Sequence, residues 1–394
     1  MVAVTACKFP ELPPVIDDEA DAAPDDAEQP DAGLRSVMIT VDPLVGSGSV
    51  VANVGGLNCG SVCSAEVLDG VSITFMANAA SGAAFVGWRN DAASCGTETT
   101  CALTVAGSSL NVGARFATVG QAAWIHKVGG AGADSVTNIS ADGSGNIIFA
   151  AKFVGDISFA GQQYANSDGI DTLLAKISPA GDVIWHRVFG GTADVIPAGL
   201  AVRASTGDIV LGGTYRASVD LGGPSPLMLP SGDTKDHFVA QFGADGSWTW
   251  QRPIRVSDND DMEFVAIAMH PSGDALVVGD FHTSVDLGDG PLVSADGEVY
   301  VARLAASGSS IVWKKKIGSA GGYAHATSLA VAASGTVVVG GYFAGPCSIG
   351  GTVMNPGGIY DGFLGGYDGD TGNFAWQRQL GGSSEDRVTA LAGC

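Results

Sequence analysis

The sequence predicts an all-β protein built largely from four-stranded units stacked side by side. Three observations carry this expectation. Glycine makes up 58 of 394 residues, about twice the usual share, and marks frequent tight turns. The runs between those turns are rich in Val, Ile, Thr and Ala and show little helical periodicity. A tryptophan recurs at 124, 185, 250, 313 and 376, at separations of 61, 65, 63 and 63 residues.

Composition narrows the partners. With 19 basic and 41 acidic residues the chain has a net charge of −22. Nucleic acid and anionic membrane surfaces both call for a basic patch, so neither is expected as a partner. No apolar run approaches the ~18 residues of a membrane helix.

Residues 1–33 form the first segment. "VTAC", Val4 to Cys7, resembles a bacterial lipobox, in which the cysteine becomes the lipid attachment site, although only six residues precede Cys7. Eight of the fifteen residues from Asp17 to Asp31 are acidic and none is basic. Such a stretch repels itself and buries little, so it is expected to remain a solvated tether. A lipidated Cys7 ahead of that tether implies an extracytoplasmic protein held at the outer membrane or cell surface, touching the membrane only through its anchor. The start of the reading frame is then expected to lie upstream of Met1.

Residues 34–118 read as a small separate module. Short β-prone runs alternate with glycine turns, and four cysteines fall in two close pairs, Cys59 with Cys63 and Cys95 with Cys101. Zinc is the competing reading. Structural zinc pairs usually lie two to four residues apart, the intervening gaps here are three and five, and an exported protein favours oxidation. Disulfides are therefore expected, each closing a short loop worth about 2 kcal/mol. Phe85 and Trp88 in "AAFVGW" are expected in the core. The phrases "GSGSVV", "CGSVCSAEV", "AAFVGW", "CALTV" and "LNVGARF", in that order, resemble the bacterial repeat related to the internalin B-repeat. That resemblance implies a β-grasp-like spacer without catalysis.

Residues 119–394 hold the repeats. After each Trp comes a strand, glycine turn and strand, as in "SVTNISADGSGNIIFAAKF" or "ATSLAVAASGTVVVGGYF". A further strand then runs through a turn to the next Trp, as in "DTLLAKISPAGDVIW". Four strands per unit, with each unit too small to cover its own faces, call for radial stacking as in a β-propeller. The pattern resembles the bacterial SBBP-type propeller repeat across residues 124–393. The third unit departs from it, with "RPIRVSDNDDME" in place of a Gly-Gly loop and Glu298 where 171, 236 and 361 are Asp. "WQRQLGGSSEDRVTALAG" opens a fifth repeat, so the expectation is four blades plus the start of another in a truncated frame. A four-bladed ring with surplus strands is the alternative.

Catalytic motifs are absent: the sequence contains no HExxH, GxSxG, Walker-type phosphate loop or dinucleotide fingerprint. No cofactor or metal is expected. His126, His186, His237, His270, His282 and His325 share no repeat position and read as surface or turn residues, and Cys347 and Cys394 have no evident partners. The loop after each Trp strand carries Asp134, Asp194, Asp261 and Asp386, with His325 in the fourth unit. Converging at a channel mouth, those carboxylates would attract cations; singly, each would shape its own turn by accepting backbone N–H bonds. The function expected is a non-enzymatic binding or scaffold surface for an extracellular protein or polysaccharide. A hydrolase or lyase acting on surface polymer, and a purely structural envelope protein, are the alternatives.

Overall fold

A computed structural model describes residues 33–42, 47–118, 124–166, 169–190, 193–230, 234–257, 264–294, 296–318 and 321–392. Cys7, Asp261 and Cys394 lie outside them. All regular structure among the described residues is β apart from one 3-10 turn, Ala93–Cys95.

The first module consists of two four-stranded sheets. Leu34–Asp42 sits between Val62–Leu68, antiparallel, and Leu110–Thr118, parallel, and the latter also pairs with Ala83–Asn90. The second sheet joins Asn58–Cys59, Gly48–Ala52, Ser72–Ala79 and Thr100–Thr104. Strict alternation along Ser72–Ala79 sends Ile73, Phe75 and Ala77 inward, where they meet Val37, Ile39 and Val112 of the other sheet. Trp88 is fully buried, edge-on to Phe85 at 5.2 Å between centroids. The β-grasp-like expectation thus meets two facing sheets and no α-helix among the described residues. Cys59–Cys63 and Cys95–Cys101 are disulfides, with Cα–Cα separations of 5.8 and 5.5 Å, within the reach of the bond.

The repeats fold into four successive antiparallel meanders. The first sheet contains Ser135–Ala141, Ile147–Val154, Ile170–Ile177 and Val183–Phe189; the second, Val195–Val202, Ile209–Tyr215, Asp236–Phe242 and Trp248–Val256. The third contains Phe264–Met269, Ala275–Phe281, Glu298–Leu304 and Ile311–Ile317; the fourth, Tyr323–Val331, Val337–Ala344, Asp361–Tyr367 and Phe374–Leu380. The Trp strand is therefore the fourth strand of each meander, extended in the second by the hairpin of Ser284–Asp286 and Pro291–Val293, and "WQRQL" completes the fourth meander. Each first strand carries a register shift at the same place, between Val136 and Asn138, Pro197 and Gly199, Phe264 and Ala266, and Ala326 and Ser328. The bulge bends each first strand in the same way.

First strands of consecutive sheets lie beside one another. Apolar clusters join the first sheet to the second, the second to the third and the third to the fourth. Among the described residues no such cluster joins the fourth back to the first. Beyond Leu380, Thr327 Oγ1 donates to the Val388 carbonyl at 2.7 Å, and Val388 with Leu391 covers Gly340. This segment lies against the fourth sheet's first strand, where the next first strand lies in the preceding units.

The recurring tryptophans explain the repeat length. Each reaches forward to the turn between the third and fourth strands of the next sheet. Trp124 Nε1 donates to Pro179 O at 2.9 Å, Trp185 to Ala244 O at 3.0 Å, Trp250 to Ala306 O at 2.8 Å and Trp313 to Gly369 O at 2.8 Å. Under each indole lies a turn glycine in the left-handed region, Gly181, Gly246, Gly308 or Gly372, leaving no room for a Cβ. Position and conformation both require glycine there. The recurring acids are also spent on structure. Asp236 accepts the Val256 N–H at 3.0 Å and pairs with Arg255, Glu298 pairs with Lys316 at 2.8 Å, and Asp361 accepts from Gln379 Nε2 at 2.6 Å. All three are essentially buried.

The module is clamped onto the first sheet's turn at Pro179–Asp182. Arg89 Nε donates to Asp182 Oδ2 at 2.7 Å, and Arg115 donates to the Ala180 carbonyl. Asp42 holds Arg115 from behind at 3.0 Å.

Two predictions follow from the fold's geometry. Gly161 has φ +77° and open space around it, whereas Gly308 has φ +69° under Trp250. Gly161→Ala should cost about 1 kcal/mol of backbone strain, and Gly308→Ala about 2 kcal/mol more through the displaced indole. Equal costs in denaturant unfolding would remove the indole contact from the account. Non-reducing peptide mass spectrometry of protein made in an oxidising compartment should recover the 59–63 and 95–101 linkages; stoichiometric zinc with four free thiols would contradict them.

Candidate binding site

Side chains that do not repeat gather at one end of the sheets. Register fixes the equivalence. The residue after each recurring acid, at 172, 237, 299 and 362, lies opposite Lys152, Thr214, Asp280 and Tyr342 respectively. One row near the ends of the second strands thus carries a cation, a hydroxyl, a carboxylate and a phenol. A framework that repeats its tryptophan and glycine faithfully leaves this row free to differ.

Around Lys152 and Thr214 is a cavity of about 450 Å³. Its polar lining is Thr137, Lys152, Asp194, Thr214, Arg216 and Lys235. Ile196, Pro197, Ala198 and Phe264 form its apolar wall. Asp194 is engaged on both oxygens, accepting the Ile170 N–H at 3.0 Å and lying 3.3 Å from Arg216 Nε. Where the sequence suggested converging carboxylates, this cavity therefore has a single acid in its described lining, and that acid is paired with Arg216.

The other aspartates of that loop position also bond to backbone. Asp134 accepts the N–H groups of Gly130 at 2.7 Å and Val154 at 3.2 Å, and Asp386 accepts that of Gly382 at 3.0 Å. These are the bonds the turn-shaping role requires. Asp261 lies outside the described residues.

Around Asp280 and Tyr342 is a second group. Asp280, 1% exposed, approaches His325 Nδ1 at 2.5 Å with one oxygen and accepts the Ala326 N–H at 3.0 Å with the other. The His325 ring meets Tyr342 at 4.9 Å, and Tyr342 meets Tyr360 edge-on at 5.3 Å. Arg387 lies over both phenol rings, at 4.4 and 4.9 Å, a cation–π arrangement. Burial, then the nearby Asp280 charge, pushes the Tyr300 and Tyr323 phenols upward, so both stay protonated at neutral pH.

Among the histidines His237 departs from the surface-or-turn reading, whereas His270 opens the turn that closes on Asp274. His237 is fully buried, with Nδ1 3.2 Å from the Tyr300 hydroxyl, and His270 is buried beside Ser272 at 2.9 Å. The strand Asp236–Phe242 is buried along its whole length, and a hydrogen-bond partner makes burial of His237 tolerable. Among the described residues no group of three or more His, Cys, Asp or Glu could hold a metal ion. Cys347 is buried, its thiol pushed up to about 12 by burial and then by Glu298, so it is an unreactive packing residue.

The opposite end of the sheets differs. A cavity of about 430 Å³ there contains Asp142 and Lys176, which pair at 2.9 Å with almost no exposure. Lys176 also donates to the Ala244 carbonyl at 3.1 Å, the acceptor of the Trp185 indole. These charges tie the first sheet to the second.

The chain matches no protein-family model and no curated protein.

Burial opposes ionisation of Asp142, but hydrogen bonds from Asn146 and Lys176 outweigh it and hold its carboxyl below the usual range. A depressed carboxyl stabilises the fold above its unfolded-state value and loses that contribution as pH falls through the folded-state one. Asp142→Asn should therefore cost about 3 kcal/mol at neutral pH by leaving Lys176 buried without a counter-charge. The difference in melting temperature from wild type should persist down to about pH 5 and shrink below about pH 4. A pH-independent difference would show that the pair's charge is not what matters.

Proposed function

We propose that the four sheets are consecutive blades of a β-propeller and that the chain is a non-enzymatic binding protein, exported and lipid-anchored at the cell surface. In this reading the end carrying Lys152, Thr214, Asp280 and Tyr342 is the binding face. The observation that carries the functional part is the contrast between the two kinds of position. Repeated residues are consumed by sheet-to-sheet contacts, whereas differing charged and aromatic residues collect at one end, beside a cavity of ligand size. Four meanders in constant order, with first strands side by side and bulged alike, support the propeller. Two disulfides suit an oxidising compartment, and the lipobox-like "VTAC" with its acidic tether supports the anchor at Cys7. The SBBP-type resemblance adds to the same reading.

A second reading is favoured by one observation. Asp280 against His325, with Tyr342 adjacent, places an acid–imidazole pair on one face, an arrangement that can serve a proton-transferring hydrolase or lyase.

Both readings can be examined with residues 34–394 and a panel of immobilised and soluble surface polysaccharides. The binding reading expects retention of at least one polymer without turnover, and weaker retention in Lys152→Gln or Tyr342→Ala at unchanged melting temperature. Retention unaffected by any variant in the row would sink it. Release of new chain ends by wild type, abolished in His325→Gln, would instead establish the enzyme.

A further inference from the structure

We propose that Tyr342 and Tyr360 form a seat for an arginine side chain of a basic partner protein, and that Arg387 is an internal occupant which such a partner displaces. The inference rests on the binding reading above and assigns a ligand class to the fourth sheet's share of that face.

The seat already holds a guanidinium. Arg387 Cζ lies 4.4 Å from the centre of the Tyr342 ring and 4.9 Å from that of Tyr360, and the two rings meet edge-on at 5.3 Å. His325 packs against Tyr342 at 4.9 Å, and Tyr323 lies 6.4 Å from both His325 and Tyr342. The two tyrosines thus belong to a packed aromatic row. A planar cation stacked on aromatic faces is a geometry that favours arginine over lysine. Glu385 adds a carboxylate 3.4 Å from Arg387 Nη2, with its side chain 51% exposed. Two ring faces and an open carboxylate together read charge, planarity and N–H donors.

The repeat itself does not demand these rings. The register equivalents of Tyr342 are Lys152, Thr214 and Asp280. Where Tyr360 precedes Asp361, the other sheets place Ile170, Lys235 and Gly297 before their acids. The fourth sheet alone has an aromatic ring at either position.

Arg387 is also placed so that its side chain can leave. The backbone on each side of it is fixed: the Asp386 N–H donates to the Tyr360 carbonyl at 2.9 Å and the Val388 N–H to that of Gly341 at 3.4 Å. The side chain between these anchors is 44% exposed, and so is its acidic partner to a similar degree. A charge pair that serves the fold is buried instead, as Asp142 and Lys176 are. Exposed cation–π contacts and rim ion pairs are both weak, so the guanidinium can swing out while its segment stays seated. The net charge of −22 draws basic partners toward the chain and speeds the encounter.

The test is calorimetric titration of the full chain with three end-blocked octapeptides in which glycine alternates with arginine, with lysine or with citrulline. Lysine keeps the charge without the planar group, and citrulline keeps the shape without the charge. The arginine peptide should bind above the other two. Arg387→Ala should tighten its binding about 5-fold at a melting temperature near wild type, because removing an internal competitor raises the fraction of open seats. Arg378→Ala removes the same charge from an exposed position on the last strand and should leave the affinity unchanged. In the Arg387→Ala background, Tyr342→Ala should weaken binding about 10-fold, whereas Tyr342→Phe keeps the ring face and should retain it. The proposal is overturned by equal binding of the lysine peptide, by Arg378→Ala tightening binding as much as Arg387→Ala, or by no binding of the arginine peptide. A lower melting temperature in Arg387→Ala without tighter binding would make Arg387 a structural latch and also overturn it. If the arginine peptide fails while Lys152→Gln still weakens retention of a polysaccharide, only this ligand assignment falls and the binding reading stands.

Discussion

An indole that must land on a glycine in the next sheet organises the repeat region. A four-stranded meander of this size covers neither of its faces, so each sheet depends on its neighbours for burial. Apolar contact alone would allow neighbours to slide, because Val, Ile and Leu surfaces pack in many registers. The Trp250 indole, hydrogen-bonded to Ala306 and seated over Gly308, admits one register. Repeated from Trp124 to Trp313, it sets the spacing between sheets. With that spacing set, the first strands meet side by side and their bulges align.

The same constraint separates scaffold from surface. Where a residue type recurs, it is occupied: the tryptophans with turn carbonyls, Asp236 and Asp361 with the ends of the Trp strands. Where it varies, as from Lys152 through Thr214 and Asp280 to Tyr342, nothing in the repeat demands a particular side chain. Variation on a rigid, repeated support is what a binding face needs, because the groups are held in place by contacts made elsewhere.

Much of the scaffold was legible in the sequence because it repeats. The Trp period, the glycine turns and four strands per unit could be read directly, as could the cysteine pairing in the first module. Phase was harder. A Trp strand looks alike whether it opens one sheet or closes another, and only hydrogen-bond register shows that Trp313 belongs with Arg303 rather than with Val337. The cavity beside Lys152 was not legible at all. Lys152, Arg216 and Lys235 belong to no motif, and their proximity comes from packing two sheets. One signal was present: aligning the repeats places Lys152, Thr214, Asp280 and Tyr342 in a single discordant column. His237 was misread for a related reason, since polar identity suggested solvent while its place in the strand Asp236–Phe242 buried it.

The docking of the first module has a mechanical consequence. Arg89 and Arg115 grip the turn at Ala180–Asp182, the same turn that receives the Trp124 indole through Pro179. A pull on the chain ahead of residue 34 therefore reaches the repeats by two routes, along the backbone and across this clamp. The clamp bears on a hairpin braced from both sides, so the load spreads over the first sheet before it can peel one strand from an edge.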